Sequence, residues 1–314
     1  MKRSIIIILL TTCISIVQAQ DFHLSQYEAS AVFLNAANTG IMEGSYRASI
    51  QGRNQWRAFT TRPYVSMVAN FDMPLNERWG LGGYLIANEA AVGYNDQHLV
   101  LSGAYRITTP GQDKHVLSAG LQLGVIQKDM RDNLIFDSQY SEGTFDKNIS
   151  SGETELAQSK FLPEINMGMA YKMKDENASV NPYAGLSVFH ISSPNESFVS
   201  LKTPLPRRFM FYSGFEIKTN DKVLITPRVL AMTQGKNKEI NAGIKGEYKW
   251  PEEKVSLLAD VGYRFNDAVI AGLGLRYNEF IYRISYDITT SGLKKHSGGK
   301  GALEFSVVFM RAKK

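Results

Sequence analysis

The amino-acid sequence predicts an all-β fold, a transmembrane antiparallel outer-membrane β-barrel of about fourteen strands. The prediction depends on an export leader, on a recurring segment of alternating apolar and polar residues, and on the order of short and long connections. In residues 164–173, Met167 and Met169 share one face, whereas Glu164 and Asn166 share the other. Side chains of a strand alternate between its two faces. The repeated pattern therefore predicts a closed barrel with lipid outside and a polar lining inside.

Residues 1–19 are predicted to be a secretory signal peptide. Two basic residues precede an unbroken apolar run at residues 5–10, and Ala19 offers a small residue at the expected cleavage site. We therefore expect cleavage and a mature chain that begins at Gln20; an uncleaved anchor is the alternative. The single cysteine, Cys13, lies inside this leader, so the mature chain is expected to have neither a disulfide nor thiol chemistry.

Composition narrows the class of protein. The formal net charge is +5, with both signs spread along the chain, which lacks the clustered basic residues of a nucleic-acid-binding protein. A mean hydropathy of −0.20 excludes a helical membrane protein but suits a barrel, in which half of the strand residues are polar. The 15 tyrosines and 16 phenylalanines can form interfacial aromatic girdles or the core of a soluble β protein, and composition alone does not decide between them.

Alternation and turn residues predict the individual strands. The predicted strands are residues 44–53, 64–72, 80–88, 97–107, 115–126, 164–174, 180–191, 207–218, 222–232, 239–249, 255–265, 268–277, 279–288 and 302–311. The two long connections, residues 127–163 and 192–206, then fall at the same end of the barrel, and the opposite end has only short turns. Outer-membrane barrels have this asymmetry, with short periplasmic turns and longer outer loops, whereas a soluble sandwich has no reason to sort its loops.

The mature chain is divided into an N-terminal segment, residues 20–43, and the barrel, residues 44–314. The segment is expected to be a plug in the lumen, a periplasmic docking strip, or an ordered terminus that seals the barrel. Residues 127–163 are interpreted as a partner-contact or gating loop, or as a solvated outer loop. Pro182 and Pro227 fall inside predicted strands and suggest bulges, strand ends or local opening.

Charged side chains on the polar faces of the strands are candidates for the lumen lining. They are Glu164, Lys172, Arg208, Glu216, Arg228, Arg283, Asp287 and Glu304. Such a lining either conducts ions or cross-links itself into a plug.

The sequence contains no motif typical of a catalytic or cofactor site: the five histidines are scattered, without HExxH or paired Cys/His spacing, and no Gly-x-Ser-x-Gly elbow occurs. We therefore predict no enzyme, no metal and no cofactor.

An ordered set of short motifs gives a more specific indication. Ser25-Gln26-Tyr27 is followed by an Asn-Ala-Ala element at Asn35 and by a Gln-Trp pair that ends at Trp56. The C-terminal third contains Thr226-Pro227, Gly262-Tyr263-Arg264 and Ser285-Tyr286-Asp287 in the same order. No single motif is specific, but the set resembles the PorP/SprF family of type IX secretion proteins. One departure is Ala36, which stands where the family usually has proline.

The resemblance implies a non-enzymatic barrel in the cell outer membrane of a Gram-negative bacterium of the Bacteroidetes group. Its expected partners are periplasmic and outer-membrane components of type IX secretion, the C-terminal domain of a secreted adhesin linked to gliding motility, and outer-membrane lipid. No nucleic acid is expected. The candidate partner-contact residues are Ser25, Gln26, Tyr27, Asn35, Trp56, Pro227, Tyr286 and Asp287. The alternative is a general porin or small-solute channel; a third hypothesis is a lipid-acting enzyme.

Overall fold

The computed structural model contains a closed, antiparallel barrel of fourteen strands, which confirms the predicted fold class. It describes residues 21–57, 63–90, 94–109, 111, 114–130, 139–141, 144–146, 148–149, 159–198, 202–250 and 254–313. The strands are β1 Gly44–Gln55, β2 Tyr64–Pro74, β3 Trp79–Ala90, β4 Tyr94–Arg106, β5 His115–Met130, β6 Tyr140–Ser141, β7 Thr144–Phe145, β8 Ser159–Met173, β9 Val180–Phe189, β10 Arg208–Lys218, β11 Val223–Gln234, β12 Asn237–Trp250, β13 Val255–Arg264, β14 Ala268–Tyr277, β15 Phe280–Thr289 and β16 Lys300–Ala312. Strands β6 and β7 form a separate small hairpin, and all the others belong to the barrel.

The barrel closes where the first strand meets the last. Strand β1 pairs with β2 on one side and with β16 on the other, from Gly44 opposite Ala312 to Gln55 opposite Ala302. This ladder places Arg53 directly opposite Glu304. The described ladder at this seam therefore leaves no open edge that could accept an additional strand.

The two faces of each strand differ as the alternation predicts. In β8, Met167 and Met169 are exposed, whereas Glu164 and Asn166 are buried. Large exposed apolar side chains recur at the outward positions around the barrel, among them Ile50, Leu85, Leu101, Leu123, Phe211, Leu257, Leu273 and Phe305. Among the described residues, an apolar outer band thus surrounds the inward-facing polar side chains, which is the arrangement that a bilayer requires.

The connections differ in length between the two ends of the barrel. At one end, which we call the long-loop end, β5 is joined to β8 by residues 131–158 and β9 to β10 by residues 190–207. The opposite end, the short-turn end, has brief turns such as residues 75–78 and 278–279. The predicted asymmetry between the two ends is confirmed, and it is the arrangement typical of outer-membrane barrels.

The boundaries of β5 and β8 were predicted too short. Residues 127–130 and 159–163, expected to lie in a loop, instead extend the two strands, with Asp129 opposite Ser159. Alternation continues into this part of β8, where Phe161 is exposed and Leu162 is buried, but Lys128, Asp129 and Lys160 interrupt the simple apolar pattern and make both strands look shorter in the sequence. The rest of the predicted loop falls mostly outside the described residues, apart from the hairpin of β6 and β7.

Pro182 and Pro227 lie inside strands and do not shift the register. Pro227 stands opposite Ile244 of β12 in a continuous ladder. On its other side, the ladder between β10 and β11 is interrupted at Thr226 and Pro227, and it resumes in the same register. The missing backbone N–H of proline accounts for this gap, so the local opening has only the length of a dipeptide.

Aromatic side chains form an outer girdle at the short-turn end. The ring centroids of Trp79 and Tyr105 are 4.8 Å apart, and those of Tyr248 and Trp250 are 5.4 Å apart. Amphipathic rings at this level are typical of the membrane–water interface of barrels.

The described structure also contains two short α-helices, α1 Ala31–Leu34 and α2 Lys294–Ser297. None of the helices among the described residues is long and apolar enough to cross a membrane.

Candidate functional site: the filled lumen

Residues 21–43, which we call the luminal segment, run through the inside of the barrel. Their hydrogen-bond partners include Gln51 of β1, Gln122 of β5, Ser187 of β9 and Glu304 of β16. A segment that contacts strands on all sides of a closed barrel must lie in its lumen. The segment begins near the long-loop end, where Asp21 contacts the residues that follow β9, and it leaves at the short-turn end, where β1 starts.

Short turns fold the luminal segment into a compact plug. Helix α1 lies between two 3-10 turns, Tyr27–Ala29 and Ala36–Asn38. Asn35 links the segment to the wall: its Oδ1 accepts a hydrogen bond from the Ala37 backbone at 2.8 Å, and its Nδ2 donates to two strand carbonyls at 3.0 Å. Asparagine suits this position because its side chain can cap a turn and still donate elsewhere.

Gly40 allows the segment to leave the lumen. Its φ of 67° lies in the left-handed region, and a Cβ here would be 2.5 Å from the Cα of Gly80. The backbone N–H of Gly40 donates to Asp72 at 2.8 Å, and Arg47 holds the same carboxylate at 2.7 Å. A residue with a side chain would meet both steric strain and a direct clash at this point.

A buried ionic network, which we call the central network, fixes the start of the segment to the wall. It consists of Ser25, Gln26, Arg53, Arg264, Asp287 and Glu304, all buried. Glu304 accepts the backbone N–H groups of Ser25 and Gln26 at 2.8 and 2.6 Å and pairs with Arg53 at 3.0 Å. Asp287 pairs with Arg53 at 2.9 Å and with Arg264 at 2.6 Å. Buried charges are tolerated only when they are paired and hydrogen-bonded in this way.

Glu28 forms a second anchor in the middle of the lumen. Its carboxylate contacts Arg228 at 2.8 Å, Lys245 at 2.6 Å and the Tyr183 hydroxyl at 2.8 Å. Burial raises the pKa of Glu28, but the adjacent positive charges, Lys245 first, outweigh burial and hold this pKa well below its usual value. This carboxylate thus contacts β9, β11 and β12 directly, and Arg228, which also pairs with Asp260 at 2.9 Å, links it to β13.

Asp21 forms the third anchor, near the long-loop end. It contacts His190 at 2.7 Å and Arg208 at 3.0 Å, and His190 also reaches Glu164 at 2.8 Å. Burial raises the pKa of Asp21, but the charges of His190 and Arg208 hold it well below its usual value. His190 follows the last residue of β9; burial lowers its pKa, yet Asp21 and Glu164 together raise it to about 9.

Apolar packing fills the remaining space in the lumen. Phe33 stacks on Phe22 at 5.6 Å and meets Tyr84 edge-on at 5.5 Å. The inward residues around them include Val68, Ile86, Val100, Met210, Leu230 and Met232. Two cavities between segment and wall measure about 10 and 20 Å³. A cavity of this size holds about one water molecule, so the segment packs closely against the wall at these two places.

The connection between β9 and β10 covers part of the long-loop end. Leu205 packs on Ile126 and Leu162, which point into the lumen. Lys128 pairs with Glu196 at 2.5 Å, and Lys160 donates to the carbonyl of Ser197. The described part of this connection therefore covers part of the long-loop end of the lumen, in addition to the segment that fills it.

The structure brings together five of the eight predicted contact residues. Three of them belong to the central network, namely Ser25, Gln26 and Asp287. The other two, Asn35 and Tyr27, lie elsewhere along the luminal segment. The guanidinium carbon of Arg228 lies 5.3 Å from the centroid of the Tyr27 ring. The other three lie elsewhere: Trp56 stands against Tyr64 after β1, Pro227 lies in β11, and Tyr286 is exposed on the lipid-facing side of β15. Their contact with partners stays a prediction.

Several residues that attach the luminal segment to the wall were not predicted to be site residues, namely Asp21, Glu28, Arg53, His190 and Arg264, although Arg264 belongs to one of the motifs that carry the family resemblance. Alternation alone identifies Arg53 as facing inward, since it shares a face with Gln51. Its pairing with Glu304 follows only from the register between β1 and β16, which no short-range pattern gives. Within the described part of the chain, no group of three His, Cys, Asp or Glu side chains is arranged to hold a metal ion.

Comparison with solved structures supports the outer-membrane barrel fold. The Ralstonia pickettii toluene transporter TbuX aligns with a TM-score of 0.52 and 10% identity over 90% of this chain and 93% of that chain. The CymD monoaromatic hydrocarbon channel gives 0.52 and 13% over 91% and 93%, and the Pseudomonas putida toluene transporter TodX gives 0.50 and 11% over 93% and 95%. At these identities the likeness concerns the fold alone.

Comparison with protein families is more specific. No curated protein sequence matches the chain. The profile of the type IX secretion system membrane protein PorP/SprF matches residues 16–309, which include the luminal segment and nearly the whole barrel. This match confirms the resemblance carried by the motifs at Ser25 and Asp287. The chain belongs to the PorP/SprF family of type IX secretion system membrane proteins.

Proposed function

We propose that the protein is a non-enzymatic component of type IX secretion in the outer membrane, where it binds other proteins of the apparatus. The observation that carries this proposal is a lumen filled by the chain's own luminal segment, in a member of a secretion family. Ion pairs with Asp21 and Glu28 and buried apolar packing hold the segment in place. A barrel closed in this way is suited to act as a rigid scaffold rather than as a passage for solutes.

The expected partners are periplasmic and outer-membrane components of the secretion apparatus. The barrel offers them its short-turn end, its long-loop end and its lipid-facing wall. Receiving the C-terminal domain of a secreted adhesin, with a consequence for gliding motility, is the second part of the proposal. Ser25, Gln26, Asn35 and Asp287 are buried, so a partner would contact them only after displacing the luminal segment. Trp56 and Tyr286 are accessible without such a change.

Deletion of the gene, followed by mass spectrometry of secreted and surface proteins, tests this function. Loss of all type IX cargo would identify a core component, and loss of one adhesin would identify a dedicated carrier. The deletion strain complemented with the wild-type gene is the control. An unchanged surface proteome, together with altered solute uptake, would contradict the proposal and favour a porin.

Planar bilayers provide an independent test against the porin alternative. A filled lumen predicts no steady ion conductance from the purified wild-type protein, because the cavities beside the segment hold about one water molecule. Steady conductance of the wild-type protein would favour a small-solute channel. Hydrolysis of lipids in detergent, abolished by a single Ser or His substitution, would favour an enzyme instead.

A further inference from the structure

Exposed lysines are concentrated at the long-loop end of β11 to β16. We call them the lysine edge: Lys236 and Lys238 where β11 turns into β12, Lys294 and Lys295 of α2, and Lys300 at the start of β16. The turn between β13 and β14 links the connections that carry them. Its Asp267 carbonyl accepts the backbone N–H of Ser291 at 3.1 Å. On the other side, the backbone N–H of Phe265 donates to the carbonyl of Ile240 at 2.9 Å.

Acidic residues near the lysine edge do not balance its charge. Residues 235–239, 265–267 and 290–300 contain two acidic residues, Glu239 and Asp267. Glu239 pairs with His23 of the luminal segment at 3.1 Å, and Asp267 pairs with Arg264. Within the described part of the chain, none of the five lysines forms an ion pair. The lysine edge therefore carries an uncompensated positive charge.

The neighbouring connections do not supply the missing negative charge either. Residues 56–63, which join β1 to β2 beside β16, contain two arginines and no acidic residue. The acid-rich residues 131–158 join β5 to β8, on the other side of the ring of strands. In the β9–β10 connection, Glu196 is paired with Lys128.

A register shift turns Lys300 toward the outside of the barrel. Asp287 of β15 stands opposite Ala302 of β16, and both are buried on the inner face. The next residue of β15, Ile288, stands opposite Lys300, so Gly301 forms a bulge. Directly opposite residues of paired strands share a face, and Ile288 is exposed on the outer face. Without the bulge, Lys300 would share the inner face of Ala302.

Alternation directs Lys238 outward as well. Its neighbour Glu239 faces the lumen, whereas Ile240, two residues along β12, is exposed on the outer face. Aromatic rings lie at the same level between β12 and β16: Tyr263 and Phe265 are exposed, with ring centroids 5.1 Å apart. Lysines above apolar and aromatic outer residues suit a membrane interface, where their stems cover apolar surface and their ammonium groups reach the headgroups.

We propose that the lysine edge binds the phosphate groups of a membrane lipid in the leaflet at the long-loop end. Outer-membrane barrels have their longer loops outside, which makes this the outer leaflet. The uncompensated charge selects an anion, and basic clusters beside a membrane-spanning segment bind anionic lipid headgroups. The outward direction of Lys238 and Lys300 favours a lipid over a soluble anion, because acyl chains can cover the apolar wall next to them. The inference goes beyond the proposed function and does not depend on it.

Lipid binding by the purified protein tests this proposal. Diphosphoryl lipid A is titrated into the protein in detergent, and native mass spectrometry of the bound complexes gives an apparent dissociation constant. The test variant is Lys238→Gln/Lys300→Gln. The matched control is Lys222→Gln/Lys249→Gln, which removes two exposed lysines at the opposite end of the barrel. Dephosphorylated lipid A is the matched lipid control, and folded migration on unboiled gels shows that the variant barrels are intact.

We expect the test variant to bind diphosphoryl lipid A about tenfold more weakly than the wild type, because it lacks two lysines at the lipid surface. The control variant should bind with wild-type affinity, and the wild type should bind the dephosphorylated lipid more weakly. Wild-type affinity in the test variant would overturn the proposal. Equal weakening in both variants would also overturn it, because binding would then depend on net charge alone. So would equal binding of the two lipids, because acyl chains alone would then account for the affinity.

Inorganic phosphate distinguishes a lipid site from a site for soluble anions. At the same concentration as the lipid, inorganic phosphate should not displace diphosphoryl lipid A, because it lacks the acyl chains that contact the outer face. Displacement at that concentration would overturn the proposal, since the lysine edge would then recognise phosphate without the lipid.

Discussion

The hydroxyl of Ser25 donates to both carboxylate oxygens of Asp287, at 2.8 and 2.9 Å, across 262 positions of the chain. Asp287 is also held by Arg53 and Arg264, so one luminal carboxylate joins the N-terminal segment to β1, β13 and β15. The luminal segment therefore supplies a hydrogen bond to a carboxylate that also pairs with two arginines of the barrel wall. Removing Asp287 would take one counter-charge from each of two buried guanidinium groups, leaving Arg53 with Glu304 and Arg264 with Asp267.

We therefore expect Asp287→Ala to destabilise the barrel by about 3–5 kcal/mol, the usual cost of removing one partner of a buried ion pair. The measurement is the temperature at which the purified protein loses its folded migration on unboiled gels. Tyr286→Phe is the matched control, because the adjacent side chain faces outward and should leave this temperature unchanged. A wild-type temperature for Asp287→Ala would contradict the role assigned to the central network.

The extent to which the fold follows from sequence is clear in β14. Its predicted bounds, residues 268–277, agree with the structure because alternation and the adjacent turn define both ends. Glu164, Arg208 and Asp287 were likewise expected to face inward, and all three are buried there. Period-two alternation is a local property, so the sequence displays it directly.

The arrangement inside the lumen did not follow from sequence in the same way. Contact between Glu28 and Arg228 joins residues 200 positions apart, and it depends on how the segment turns inside a barrel of defined size. Opposite charges are too numerous along the chain for their pairing to be read from composition. The sequence therefore does not decide whether residues 20–43 form a plug, a docking strip or a sealing terminus. In the structure, the described part of this segment, residues 21–43, lies in the lumen.

A covalent lock should test whether the luminal segment stays in place during function. The hydroxyl oxygens of Thr39 and Ser102 lie 2.6 Å apart, so cysteines at these two positions would have their sulfur atoms close enough to bond. We expect Thr39→Cys/Ser102→Cys, with Cys13→Ser, to form this disulfide and still support secretion. Thr39→Cys with Cys13→Ser is the control. Secretion that stops on oxidation and returns on reduction would show instead that the segment must move.

Steric contact between the segment and the wall leads to a second prediction about stability. A Cβ on Gly120 of β5 would be 2.3 Å from the carbonyl carbon of Ala36, whereas a Cβ on Gly103 of β4 would have its nearest neighbour at 4.0 Å. We expect Gly120→Ala to cost about 1–3 kcal/mol through overpacking. Gly103→Ala should cost nothing by this mechanism. Equal melting temperatures for the two variants would contradict the close packing of the segment against β5.

Stability should also depend on pH through the Asp21 anchor. The folded pKa of His190, about 9, lies above its ordinary value of 6.5, because Asp21 and Glu164 favour the charged imidazolium despite its burial. A raised pKa contributes stability that is complete below pH 6.5 and is lost as pH rises through 9. We expect the melting temperature of the wild-type protein to fall across this window.

His190→Gln provides the comparison that isolates this effect. Glutamine keeps a hydrogen-bonding side chain but does not titrate, so the decrease in melting temperature across the same window should be smaller than in the wild type. His115→Gln is the matched control, since His115 is exposed at the start of β5 and far from Asp21. Parallel melting curves for the wild type and His190→Gln between pH 6.5 and pH 9 would contradict the charged state assigned to His190. They would leave the Glu28 anchor and the central network as the ionic attachments of the segment.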